Sequence, residues 1–395
     1  MSDTAGKPPG PDPGPGASAT GDGLIRRRWR RRLRNSALGT AALLVVAGGA
    51  GWAVYARLSG NITADEAAAA ELARYERERP TALVRGAQNI LLIGSDTRAG
   101  DGNGAYGKDL GTERSDTTIL LHLAADRGSA TAVSLPRDLM VDIPACRQPD
   151  GRRSDPVFAM FNQAFQVGGS ACTIRTVERL TGIRVDHHMV LDFSGFKEMV
   201  DALDGVQVCL REPVDDKAAR LRLPAGKVTL DGEQALGFVR ARESLGNGSD
   251  TGRMERQQRF LGALVAKVRS EDVLLNPVKL YPLLDAATSA LTTDPELASL
   301  RGLYQLARGL RDTPTEQVRF LTVPRESYVY DANRDQLVEP EAEELFARLR
   351  ADRPVAVAEE NSQDVPGEVT GADDPQGPSP APTFSGRTAA DHSCG

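Results

Sequence analysis

Histidine and cysteine are both scarce, with four of each in 395 residues. The histidines (His122, His187, His188 and His392) lack the spacing of a metal-ligand set. The cysteines (Cys146, Cys172, Cys209 and Cys394) do not follow zinc-module spacing either. No Gly-Lys-Ser/Thr phosphate loop and no Gly-x-Ser-x-Gly elbow occurs, which removes two large classes of nucleotide hydrolase and serine hydrolase. Gly102-x-Gly104-x-x-Gly107 has the letters of a dinucleotide fingerprint, but an Arg-Ser-Asp segment and a strand pattern follow it instead of a helix. Positive charge is not in excess: the net charge is -6, so bulk electrostatics argue against a nucleic-acid binder. Large apolar residues are almost missing from residues 1–23 and again from about 358 onward. Pro, Gly, Ser and Asp dominate there, and such segments cannot bury a core.

What is present begins with a basic run: Arg26, Arg27, Arg28, Arg30, Arg31, Arg32 and Arg34. It precedes residues 37–56, which carry no charge over 20 positions. At about 1.5 Å per residue this stretch spans a hydrocarbon core of about 30 Å. Trp29, Trp52 and Tyr55 stand near its ends, as interfacial aromatics do. The run is longer than a signal-peptide core and has no clear Ala-x-Ala site after it, so a retained signal anchor is expected. The arginines place the N-terminus in the cytoplasm and the bulk of the chain outside the cell membrane. The expected organisation is a disordered basic tail (1–35), a transmembrane anchor (36–57), a helical stalk rich in Ala, Glu and Arg (58–80), one large extracytoplasmic domain (81–352) and a disordered tail (353–395). Outside the membrane disulfides are permitted. Cys146 with Cys172 is the first pairing to expect, and a bridge to Cys209 remains open.

Within the large domain, short apolar runs (89–94, 117–123, 130–135, 186–193, 206–210, 318–323) alternate with helical patterns (161–168, 172–181, 194–203, 253–269, 341–349). This alternation predicts an α/β fold, a three-layer α/β/α sandwich around a central mixed β-sheet, preceded by one transmembrane helix. Several charged motifs fall where apolar runs end, and ligands of open α/β sheets collect at strand ends. Asp96 and Asp116 each sit in a Ser-Asp-Thr unit beside Arg98 and Arg114. The loop between them is rich in glycine, so the two carboxylates can converge. Mg²⁺ takes one or two carboxylates plus phosphate oxygens and water. Arg137 follows Pro136 at the end of a run. Arg240 and Arg242 are two apart, a spacing that shares a face only on an extended segment. Arg253 and Gln257 are i,i+4 and share a helix face. Forked guanidiniums bind phosphate oxygens bidentately. After a membrane anchor, this set points to a lipid that carries a pyrophosphate.

In order along the chain, NILLIGSDTR, RSDTTIL, SLPRDLMVDIP, FNQAFQVGG, LDGEQALGFVRAR and SDTGRMERQQRF together resemble the LytR-CpsA-Psr family of the actinobacterial kind. The resemblance runs from about 89 to 262. It implies a Mg-dependent phosphotransferase that moves a glycopolymer from a polyprenyl-pyrophosphate carrier onto peptidoglycan. Position by position, it implies Asp96 and Asp116 as metal ligands. Arg98, Arg114, Arg137, Arg240, Arg242, Arg253 and Gln257 become the pyrophosphate-binding set, and Asp250 lines the site. Arg114, Asp116, Arg137 and Asp250 are the candidate catalytic group, with Asp116 or Asp250 as proton acceptor. Val190, Phe193, Phe196 and Phe238 are candidate walls of a lipid pocket. A non-catalytic lipid-pyrophosphate-binding regulator and a lipid pyrophosphatase are the competing expectations.

Overall fold

The computed structural model describes residues 22–95, 115–241, 250–269, 276–311, 313–358 and 383–391. The chain divides after Ala56 into two units. The first holds most of helix α1 (Asp22–Asn61), whose segment Asn35–Asn61 is long and apolar enough to cross a membrane. Leu43, Leu44, Val45, Val46 and Trp52 are all exposed there.

The second unit is built on a nine-stranded mixed sheet. Its strands in chain order are β1 (Thr63–Ala64), β2 (Gln88–Ser95), β3 (Ser115–Leu123), β4 (Ala130–Leu135), β5 (His187–Leu191), β6 (Leu291–Thr293), β7 (Val318–Thr322), β8 (Ala356–Ala358) and β9 (Thr383–Thr388). Their order across the sheet is β1-β6-β5-β2-β3-β4-β7-β9-β8. The centre β5-β2-β3-β4-β7 pairs parallel, antiparallel, antiparallel, parallel.

Alternation along the central strands sends successive side chains to opposite faces. Leu91, Ile93, Leu120 and Val133 pack on one face against helices α2 (Glu66–Arg74), α3 (Gln163–Thr181) and α9 (Glu339–Arg350), through Leu72, Ile174, Val177, Leu345 and Phe346. Ile90, Ile119 and Ala132 point the other way, toward α6 (Asp250–Arg269) and α8 (Leu300–Arg311). A further cluster on that side joins α4 (Phe193–Ala202), α5 (Gly232–Arg240) and α6 with the hairpin of Val206–Leu210 and Gly226–Leu230. Helix α7 (Pro277–Ala290) lies against α4. This is the expected α/β/α sandwich.

The two helices expected at 161–168 and 172–181 are present within the span of α3, divided by the non-helical pair Gly168–Gly169. Gly169 has φ 60°, which favours glycine. A Cβ on Gly168 would meet Arg147 O at 2.8 Å and Cys172 Cβ at 2.9 Å. The bend thus lets the helix approach closely enough for the disulfide Cys146–Cys172 to close, with Cα atoms 5.6 Å apart. Cys209 is oxidised as well, so it is not a spare thiol.

Two expected boundaries are corrected. The stalk at 58–80 is part of the domain. Leu58, Ala68 and Leu72 are buried, Thr63–Ala64 pairs with β6, and Asn61 donates to Asp285 and Thr288 on α7. Ala68 and Leu72 stand four apart, one face of a helix, and that face is covered. Arg79 clasps the buried Glu178 carboxylate at 2.7 Å and donates to Val185 O. The tail at 353–395 contributes two strands, with Phe384 and Ala389 buried. One large apolar residue in Thr383–Thr388 left that strand without a readable alternation. Helix α1 begins before residue 36 and runs unbroken to Asn61.

Candidate functional site

The site begins at an irregularity in the sheet. Between β2 and β3 the register passes from Gly94↔Thr117 to Ser95↔Ser115, which leaves Asp116 without an opposite residue. A bulge of this kind re-aims a side chain at a strand end. Asp116 meets Arg137, whose Nη1 donates to its Oδ1 at 3.0 Å. Arg137 stands just past β4, where Pro136 ends the strand, and its Nε donates to Asp138 Oδ2 at 3.3 Å.

Arg240 is the last residue of α5. That helix starts at a capping box formed by Asp231 and Gln234, and a guanidinium at its far end suits the helix dipole. The Arg240 guanidinium lies 4.5 Å over the Phe193 ring. Arg240 is itself helical and the helix ends at Ala241 (ψ 139°), so Arg240 does not stand on the extended segment that the Arg240/Arg242 spacing implies. On α6, Arg253 and Gln257 share a face as expected. Arg253 is buried, and Gln257 Nε2 donates to Thr117 Oγ1 at 3.1 Å, directly beside Asp116. Gln258 ties the same helix to β7 through Thr322.

These groups border a cavity of about 680 Å³, a size typical of a small-molecule site. Asp116, Arg137, Arg240, Arg253 and Gln257 all line it. Leu92, Ile119, Met189 and Leu191 form apolar wall on the sheet side, and Phe193, Phe196, Leu236 and Phe260 on the helix side. Phe196 and Phe260 have ring centroids 5.4 Å apart. Met189 and Leu191 bracket Val190 on β5, so Val190 points to the other face and packs on the opposite core. Val190 is therefore not a wall residue. Phe238 is not one either: it is buried in the cluster beneath α5. Phe193 and Phe196 do line the cavity. Arg220 and Asp216, which no sequence motif singles out, also line it. Both lie near the short hairpin 214–223, whose three-residue strands are too brief to show a period. Arg220 has φ 52°, an uncommon backbone for a non-glycine residue.

Asp96, Arg98, Arg114 and Arg242 lie outside the described residues, as does the side chain of Asp250, the first residue of α6. Among the described residues no three His, Cys, Asp or Glu side chains converge on a metal position. The one carboxylate at the bulge is a hard oxygen donor facing a cavity that Arg137, Arg240 and Arg253 also line. That donor set does not suit zinc, and it fits Mg²⁺ bound largely through phosphate oxygens and water. Burial, and then the charge of Arg253, holds the Arg256 guanidinium below the ordinary arginine value. Arg256 donates to Ala241 O and so fixes the end of α5. Crowded, desolvated guanidiniums of this kind are stabilised by an anion.

The LytR_cpsA_psr family model matches residues 58–351. A Corynebacterium glutamicum protein named "Probable cell wall biosynthesis protein LcpB" is 36% identical over 270 residues, 66% of this chain and 61% of that protein. The chain therefore spans about three fifths of that relative's length. Bacillus subtilis TagT, named a polyisoprenyl-teichoic acid–peptidoglycan teichoic acid transferase, is 29% identical over 333 residues, 80% of this chain and 96% of TagT. In fold, a LytR-Csp2A-Psr enzyme from Actinomyces oris superposes with a TM-score of 0.53 at 22% identity, covering 69% of this chain and 93% of that one. With the family match extending over most of its length, the chain belongs to the LytR_cpsA_psr family.

Proposed function

We propose that this chain is a membrane-anchored phosphotransferase that moves a glycopolymer from a polyprenyl-pyrophosphate carrier to a peptidoglycan hydroxyl. The observation that carries this reading is the cavity itself: an Asp116–Arg137 pair, Arg240 and Arg253 share one space with an aromatic and aliphatic wall. A pyrophosphate suits the first part and a polyprenyl tail the second. The names of the relatives supply the reaction class, since TagT is named for transfer from a polyisoprenyl carrier to peptidoglycan. The apolar helix α1 suits a single-pass anchor, with the basic run on the cytoplasmic side and the domain outside.

In this mechanism the acceptor oxygen attacks the sugar-side phosphorus, a new P–O bond forms, and the P–O bond to the lipid phosphate breaks. The lipid monophosphate leaves and a phosphodiester joins polymer to wall. Arg137, Arg240 and Arg253 hold the phosphate oxygens and offset the charge that builds on them. Gln257 holds Thr117 and α6 in register beside the bulge. Asp116 or Asp250 would accept the hydroxyl proton. Mg²⁺, held by Asp116 and on the family resemblance also by Asp96, would supply further charge neutralisation on the phosphate oxygens.

The test is transfer of sugar phosphate to peptidoglycan fragments from a polyprenyl-pyrophosphate-linked sugar, read by mass spectrometry. Mg²⁺-dependent product that disappears with Arg240→Ala supports the reading. Donor binding without product would indicate a regulator or scaffold. Sugar phosphate and lipid phosphate released to water would indicate a pyrophosphatase.

A further inference from the structure

Beside the site lies an aromatic surface that the donor chemistry does not use. The hairpin Met140–Ile143/Val157–Met160 leaves Asp138 directly, and it carries Phe158 on its outer strand. A second hairpin, Arg325–Tyr328/Asp331–Leu337, carries Tyr328 and Tyr330. The Phe158 and Tyr328 rings are 6.1 Å apart at 52°, and Tyr328 and Tyr330 are 5.4 Å apart at 65°. Phe158 is 51% exposed and Tyr330 85%, with Val157 and Val329 exposed beside them. Adjacent exposed rings and valines are unusual on a soluble surface and mark a place of contact.

The second hairpin is clamped to the site. Asp138, which accepts from Arg137, also faces Arg334 at 3.6 Å, and its carbonyl accepts from Asp335 N at 3.2 Å. Phe158 lies across from Asp142, four residues beyond Asp138. At roughly 3.3 Å per residue, that puts the ring about 13 Å along the strand from the site. A short oligosaccharide covers such a distance.

The charges around the rings choose the occupant. Asp142 is the cross-strand partner of Phe158, Asp331 that of Tyr328, and Glu326 is exposed on the same hairpin. Arg334 is engaged by Asp138 and Asp331. An acidic rim is repelled by an anionic lipid surface. It accepts a ligand that has apolar ring faces and hydroxyl or amide edges, which is the character of a glycan. Tyrosine offers both a face for the ring and a hydroxyl for the edge.

We propose that Phe158, Tyr328 and Tyr330 form a stacking platform for the acceptor glycan, leading its reactive hydroxyl toward Asp116 and Arg137. The role as acceptor subsite rests on the transferase reading above; the capacity to bind glycan does not. The platform serves acceptor binding alone, so it leaves the donor contacts and the chemical step untouched.

The experiment uses the full chain in detergent micelles and uncharged N-acetylglucosamine oligomers, with binding read by calorimetry. Phe158→Ser combined with Tyr330→Ser is expected to weaken glycan binding about tenfold and to raise the acceptor KM by a similar factor. Donor KM, kcat and Tm stay unchanged, and Tyr330→Trp keeps binding. Equal glycan affinity in wild type and double variant overturns the platform, as does a wild type that binds no glycan. Loss of binding to phosphatidylglycerol vesicles, with glycan affinity intact, also overturns it and makes the patch a membrane contact. If the wild type transfers nothing yet its glycan binding falls in the double variant, the platform stands and the transferase reading fails instead.

Discussion

The two faces of the central sheet are made by the same strands and have opposite fates. On the face covered by α2, α3 and α9, Leu91, Leu120 and Val133 are fully buried against Ile174, Val177 and Phe346, and a disulfide closes the rim. On the other face, Leu92 and Ile119 look into a cavity. The helices there, α4, α5 and α6, pack mainly on one another and on the hairpin 206–230. The first side holds the fold, while the second combines core, through Ile90 and Ala132, with strand ends that border the cavity. The difference teaches that the ligand space is opened mainly by one alternating set of side chains, Leu92 and Ile119 among them, near the strand ends.

This contrast can be broken most severely from the closed face. Phe346→Ala removes a buried ring from α9 and is expected to cost about 3–5 kcal/mol. Tm should fall strongly in thermal unfolding, while protein that remains folded keeps its affinity for a polyprenyl-pyrophosphate analogue. The converse change is Arg240→Ala. Losing one phosphate-stabilising group should lower transfer about 10²–10³-fold, with Tm nearly unchanged. If Arg240→Ala instead unfolds the protein, the contrast between the faces is wrong.

Opening the Cys146–Cys172 bridge is a milder test of the closed face. The two residues are 26 apart in sequence, and a loop of that size is worth about 3 kcal/mol in the entropic account. Cys146→Ser with Cys172→Ser should lower the denaturation midpoint by that amount and leave transfer intact. On the cavity side, Phe196→Ala should raise the donor KM several-fold and cost less stability than Phe346→Ala, because Phe196 is only partly buried. Equal stability losses at the two sites would mean that the cavity is ordinary core.

The smallest expected effect lies at the end of β5. Burial disfavours the charged form of His187, but the hydrogen bond and charge of Asp294 outweigh it and raise its pKa. Burial likewise pushes Asp294 up, and the hydrogen bond from His187, followed by its charge, brings it below the ordinary carboxylate value. The His187 contribution is complete below the usual histidine value of about 6.5 and is lost as pH rises through the higher folded value. The Asp294 contribution is complete above about 3.9 and is lost as pH falls through its lowered folded value. The pair therefore stabilises most between about pH 4 and 6.5. Asp294→Asn should lower Tm by roughly 2–4 °C within that window, and by less at higher pH.

How much of this was legible in the sequence followed the length of each element. The strands 89–94, 117–123 and 130–135 were readable because each runs six or more residues with strong apolar content. Thr63–Ala64 and Leu291–Thr293 were missed, because two or three residues carry no period. Asp116, Arg137, Arg240, Arg253 and Gln257 were read as a set, and the structure brings them to one cavity. Val190 was misplaced by parity: with Met189 and Leu191 on the wall, its side chain must leave on the other side. Arg220 went unnoticed because its placement depends on a positive-φ turn that its neighbours, Ala218, Ala219 and Leu221, do not announce.

The strands drawn from 353–391 have a further meaning. Thr383–Thr388 lies between β7 and β8, antiparallel to the first and parallel to the second. Among the described strands, β8 is held in the sheet by β9 alone. A protease cut that released residues 383–391 would unpair both neighbours at once. The outer edge of β7 would then offer a row of open backbone donors and acceptors to any passing strand, the condition under which sheet proteins join edge to edge. Six residues, Thr383–Thr388, thus cover that edge of β7.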